Sequence, residues 1–122
     1  MKEKDCPFHR VLNVINKKWS MLVLSYLGYH DEAGFNDLEN ELKGVTPRAL
    51  SEVLKSLMSE GFINRKRLNG IPPRVQYSLS DKGSELLQVI DPLIRWTAYH
   101  TDHKNCGILD SINRWVVSEG RK

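Results

Sequence analysis

The side chains with the most chemical capacity in this chain lie close together. Arg48, Ser51 and Lys55 fall within "GVTPRALSEVLKS" (44–56), and Arg65, Lys66, Arg67 and Arg74 follow shortly after. Arginine presents a planar fork of donors that can pair bidentately with a guanine edge, and lysine supplies a point charge suited to phosphate. The balance of charge across the chain sharpens this. Overall the 122 residues carry a net +3. Between Gly61 and Lys82, however, five basic residues stand against the single acid Asp81, a local net of +4, so the remainder is slightly acidic. Local density of one sign, more than total charge, is what binds a polyanion.

Other chemistries have no comparable support. No nucleophile–base pair and no phosphate-cradling glycine loop is present, and Asp31–Glu32 and Glu39–Glu41 read as solvated acidic positions. The chain is therefore not expected to be an enzyme, and no cofactor is expected. Cys6 and Cys106 lie at opposite ends with no metal spacing and no disulfide framework, which suits a reducing, cytoplasmic setting. His100, His103 and Cys106 are close in sequence; a solvated helix end accounts for them better than a metal site. The charged start, MKEKDCPFHR, has no apolar signal core, and the densest apolar run, 21–24, is far below the roughly 20 residues of a membrane span.

Hydrophobic periodicity places these residues on elements. Phe8, Val11, Leu12 and Ile15 predict a short first helix. A second starts near Lys18, with Trp19, Leu22, Val23, Tyr26 and Leu27 on its apolar stripe and a break at Gly28. A third spans about 35–43. Thr46 and Pro47 then open a fourth, Thr as an N-cap acceptor and Pro at the first helical position. Its apolar face is Leu50, Val53, Leu54, Leu57 and Met58, which leaves Arg48, Glu52 and Lys55 on the opposite face. Gly61 ends it. Strands over 62–68 and 74–79, joined by Asn69-Gly70-Ile71-Pro72-Pro73, predict a β-hairpin with charged flanks. Ser80 caps a long helix that Pro92 should bend or split, and a last helix covers about 108–117.

Helix, tight turn, helix, basic hairpin is the order of a winged helix-turn-helix, in which the second helix enters the DNA major groove and the hairpin lies beside it as a wing. The expected fold is mainly α with a small β-hairpin wing, within a single winged-helix domain over 1–122. On this reading Thr46, Pro47, Arg48, Ser51 and Lys55 face the major groove, and Arg65, Lys66, Arg67 and Arg74 meet the flanking backbone or the minor groove. Taken singly, each piece has a plainer account: a capped amphipathic helix is common, and a charged hairpin often only protects a sheet edge. A winged-helix module that binds another protein and no DNA is the alternative, and Glu52 on the helix face favours it.

The chain also resembles the HxlR-type transcription regulators, a branch near the MarR-like winged helices. The matching pieces are Cys6-Pro7, "NKKWSMLVLSYL" (16–27), "FNDLENELKGVTPRALSEVLKSLMSEGFINRK" (35–66), "PPRVQYSLSDKGSEL" (72–86) and Trp96. It departs from the family pattern at Gly34, where an arginine is usual, and at Gln88, where a proline is often found, Pro92 coming a turn later. The resemblance implies a homodimeric regulator, often a repressor, on a pseudo-palindromic operator, with N- and C-terminal helices forming the dimer. The HxlR-like core, including the first dimer helix and the long helix, would span 6–103, and 104–122 would add a further dimerisation helix. Phe8, Val11, Leu12, Ile94, Trp96, Tyr99, Ile108, Leu109, Ile112 and Trp115 are the candidate interface residues. It also implies a small-molecule or oxidant effector. Cys6, with Lys2, Lys4, His9 and Arg10 nearby, is the candidate redox sensor; a small buried interface residue is the other reading.

Overall fold

The computed structural model describes residues 6–100. Five helices and three strands run in the order α1 (Pro7–Ile15), α2 (Ser20–His30), β1 (Ala33–Gly34), α3 (Phe35–Glu41), α4 (Pro47–Ser59), β2 (Ile63–Leu68), β3 (Arg74–Leu79) and α5 (Asp81–His100). The expected last helix, and with it Ile108, Leu109, Ile112 and Trp115, lies outside the described residues. The fold is mainly helical with a small antiparallel sheet, a winged-helix arrangement.

The sheet has one more strand than the expected hairpin. Its order is β1-β3-β2, with Ala33 opposite Tyr77 and Gly34 opposite Gln76. Two residues are too short to carry an alternating pattern, so β1 leaves no periodic signal.

At the centre of the core is α2. Ser20, residues 22–27 and Tyr29 are all buried, so the helix is enclosed on every side instead of showing one stripe. It does not break at Gly28. A Cβ there would stand 2.1 Å from Leu87 Cδ2 of α5, so the glycine serves close helix packing within α2. The helix ends at Asp31, whose φ of 67° and ψ of −51° centre a tight three-residue turn in which the Glu32 N–H donates to the His30 carbonyl at 2.7 Å. Leu38, Leu42, Leu50, Val53, Leu54, Leu57, Phe62, Ile63, Tyr77, Ile90 and Ile94 complete the core around it.

Two other expectations are corrected. The third helix stops at Glu41 rather than near Lys43. Pro92 neither ends nor splits α5, which runs unbroken to His100. Gln88, whose carbonyl loses its helical partner to the proline ring, and Pro92 itself both face outward, where that carbonyl is free to be hydrated.

Candidate nucleic-acid interface

The start of α4 is built by its cap. The Thr46 hydroxyl accepts a hydrogen bond from the Ala49 N–H at 3.0 Å, and Pro47 occupies the first helical position; such a cap is worth about 1 kcal/mol. The end is built by Gly61. With φ at +80°, its N–H donates to the Met58 carbonyl while the Phe62 N–H donates to the Leu57 carbonyl, a Schellman closure that turns the chain straight into β2. Burial of Leu50, Val53, Leu54 and Leu57 fixes the phase of α4. Arg48, Glu52 and Lys55 are therefore exposed on one face, and Ser51 is half-buried at its edge.

Arg48 and Glu52 form an i,i+4 ion pair at 3.5 Å, with their side chains 90% and 64% exposed. At that exposure the pair is weak, and the guanidinium remains available to an incoming acceptor. A cleft of about 360 Å3 between α3, α4 and the sheet is lined by Ser51, Lys55 and Arg65, with Phe35, Leu54, Met58 and Tyr77. The helix face and the base of the hairpin thus share one surface.

Strand register divides the cations of the hairpin. Arg65 pairs with Tyr77 and Arg67 with Val75, whereas Lys66 pairs with Gln76 and Leu68 with Arg74. Cross-strand partners share a face and successive residues alternate. Arg65 and Arg67 therefore lie on the face of Tyr77, toward α3 and α4, and Lys66 and Arg74 lie on the other. All four are exposed. Lys82, counted with them by sequence, is engaged differently. Its Nζ donates to the Glu60 carbonyl at 2.8 Å and stands over the Phe62 ring, where a cation complements the C-terminal end of α4.

Away from this surface, α5 is tied to the core by a part-buried network. Arg95 Nε donates to Asp91 Oδ2 at 2.6 Å, the Arg95 guanidinium also donates to the Tyr29 hydroxyl, and that hydroxyl donates to Asp91 Oδ1 at 3.2 Å. The bond it donates to the Asp91 carboxylate holds Arg95 above its ordinary pKa. Arg10 of α1 reaches Glu60 at the end of α4 at 3.1 Å.

The candidate interface residues separate. Phe8, Trp96 and Tyr99 are exposed, and Val11 and Leu12 are half-buried. Ile94 is buried in the chain's own core beside Ile90. The outward stripe of α5 is Val89, Leu93, Trp96 and Tyr99; periodicity alone does not separate Leu93 from Ile94, its neighbour in the same apolar run. Cys6 is a half-buried free thiol at the N-cap of α1. No group of three or more histidine, cysteine, aspartate or glutamate side chains among the described residues is placed to hold a metal. No described helix is long and apolar enough to cross a membrane.

Comparison with known proteins agrees with this geometry. Residues 14–105 match the family described as HxlR-like helix-turn-helix. The HTH-type transcriptional regulator YdzF of Bacillus subtilis is 35% identical over 95 residues, covering 78% of this chain and 87% of its own. The HTH-type transcriptional regulator YtfH of Escherichia coli is 33% identical over 95 residues, covering 76% and 73%. Among solved structures, the redox regulator HypR in its oxidised form superposes with a TM-score of 0.71 at 28% identity, covering 80% of this chain and 99% of that one.

Proposed function

The chain belongs to the HxlR-like helix-turn-helix family of transcriptional regulators, and from that premise we propose that it binds a pseudo-palindromic operator as a homodimer and represses transcription by occupying it. Thr46, Pro47, Arg48, Ser51 and Lys55 enter the major groove, with Arg48 pairing to a guanine edge. Arg65, Lys66, Arg67 and Arg74 hold the flanking backbone. The observation that carries this reading is the shared surface on which Ser51 and Lys55 of α4 meet Arg65 of β2, with Arg67 on the same face of the hairpin. The exposed stripe on α5 supplies the dimer contact; an apolar surface of this kind generally meets a partner. Two-fold pairing would set two α4 helices about 34 Å apart, one DNA turn.

The test is a titration of the purified protein against the intergenic DNA upstream of its own gene and against a random duplex, at two salt concentrations. Preference for the upstream DNA, with log affinity falling by about 0.9 per phosphate contact for each unit of log salt, supports operator binding. Absence of binding to either duplex at low salt rejects it and leaves the protein-interaction module.

A thiol response is a second part of this reading, favoured by the fold shared with a redox regulator and by the position of Cys6 at the start of α1. Repeating the titration with a mild thiol oxidant checks it. Release of DNA by the wild type and not by Cys6→Ser assigns the sensor; identical behaviour of the two removes it.

A further inference from the structure

A second cavity, of about 290 Å3, lies where α2, β3 and α5 meet, and it shares no residue with the cleft beside α4. Leu27, Leu79 and Leu87 give it apolar walls, and Asp31, Ser84 and Gln88 give it polar groups. Gly28 completes the wall without a side chain; a Cβ there would run into Leu87. An apolar hollow with a few convergent polar groups has the composition of a small-molecule site, and its volume suits a small occupant. Among the described residues, none of the three polar side chains has a hydrogen bond or ion pair within the chain.

Asp31 is the strained member of the set. Its φ of 67° with ψ of −51° is the rarer, strained form of the three-residue turn. Strain of this kind persists only where the surrounding structure enforces it, and it gathers at ligand clamps. The charge of the cavity has one sign. Asp31 brings a carboxylate and no lining residue is a cation. Leu27 and Gly28 belong to the last turns of α2, and the carbonyl end of a helix is partially negative. The opposing first turn of α5 is already answered by its own Asp81.

We propose that this cavity binds a small organic cation, a primary ammonium group on a short alkyl or phenyl body. The ammonium meets the Asp31 carboxylate and the carbonyl end of α2, and Ser84 and Gln88 offer oxygens to its remaining hydrogens. The body lies against Leu27, Leu79 and Leu87. Such an occupant touches α2, β3 and α5 at once, the elements that join the charged surface to the apolar stripe. The site stands whether or not the chain binds DNA as proposed above, so the two readings fail separately.

The experiment is calorimetric titration of the full chain with butylamine and phenethylamine, and with the matching carboxylates pentanoate and 3-phenylpropionate, beside thermal melts in each ligand. At least one amine should give a saturable isotherm and raise Tm with concentration, and neither carboxylate should. Asp31→Asn keeps a side chain that tolerates positive φ and removes the charge. It should fold as the wild type does and weaken amine binding by roughly tenfold or more, the worth of one hydrogen bond to a charged group. Asp31→Gly should lose the amine too, while its ligand-free Tm rises by a few degrees as the strain is relieved. Amines and carboxylates bound alike, amines bound by neither measure, or Asp31→Asn binding as tightly as wild type overturns the site. A lower Tm for Asp31→Gly takes away the strain and with it the ground for placing the ammonium at Asp31.

Discussion

At the residue scale the proposed DNA face carries one discordant charge. Glu52 lies beside Arg48 and Lys55, and its ion pair with Arg48 is nearly all in solvent. A carboxylate there costs attraction to phosphate more than it stabilises the helix. Glu52→Gln should therefore tighten binding to all duplexes by roughly fivefold at low salt, the effect of one unit charge at close range in water, as read by fluorescence anisotropy. Weaker binding, confined to one sequence, would instead mean that Glu52 orients Arg48 or accepts from a cytosine edge. Tyr26 gives a prediction of a different kind. Burial raises its pKa, and the carboxylates of Glu41 and Asp37 add to the shift. The unfolded chain then loses the phenolic proton first. Stability is intact below about pH 10, the ordinary tyrosine value, and falls as pH rises above it. Thermal melts between pH 8 and 11 should show a shallower alkaline decline for Tyr26→Phe than for wild type. Which of these side chains face outward was legible from helical phase, since the apolar face of α4 leaves Arg48, Glu52 and Lys55 no other place. The two-and-two division of the hairpin cations was not, because it depends on which residues of β2 and β3 stand opposite each other.

At the element scale, capping chemistry was the most legible part. Thr46-Pro47 and Gly61 mark the ends of α4 through backbone demands that are local to the chain. Features that answer to a distant neighbour were not legible in the same way. Gly28 has the look of a helix break until Leu87 is seen against it. β1 exists only because β3 offers it an edge. Ile94 and Leu93 are adjacent in an apolar run, and only packing against α2 decides which turns inward. Two glycines show how the opposing atom sets the cost of adding a methyl. At Gly83 a Cβ would lie 1.9 Å from the Phe62 carbonyl oxygen, a backbone atom that also accepts from the Ser80 N–H. At Gly28 the obstacle is the end of a leucine side chain, which can rotate. Gly83→Ala should lower stability by about 1–3 kcal/mol or more, seen as a loss of roughly 5–20 °C in Tm. Gly28→Ala should cost clearly less, because the Leu87 side chain can rotate away while helix propensity returns up to about 1 kcal/mol at either site. Equal losses in a calorimetric comparison would mean that Leu87 is as immovable as backbone.

At the scale of the whole molecule, two surfaces of the described residues meet different demands. The α4–hairpin surface is charged and suited to a polyanion. The outward stripe of α5, with Val89, Leu93, Trp96 and Tyr99, is apolar and exposed, while the opposite side of the same helix is held to α2 by Tyr29, Asp91 and Arg95. A helix anchored on one side and greasy on the other can carry a second copy without loosening the DNA-binding core. Placing charge on the stripe should therefore separate assembly from folding. Leu93→Glu combined with Trp96→Glu removes no buried core residue, so circular dichroism and Tm should remain close to wild type. Sedimentation should then show a dimer for the wild type and a monomer for the double variant. Affinity for a duplex with two half-sites should fall by about a hundredfold, the avidity lost when a second contact is no longer tethered to the first, while affinity for a single half-site stays nearly unchanged. A double variant that still sediments as a dimer would move the interface elsewhere on the chain. A variant that loses half-site binding as well would show that the two surfaces are coupled, with α5 setting the pose of α4 through the Tyr29 network.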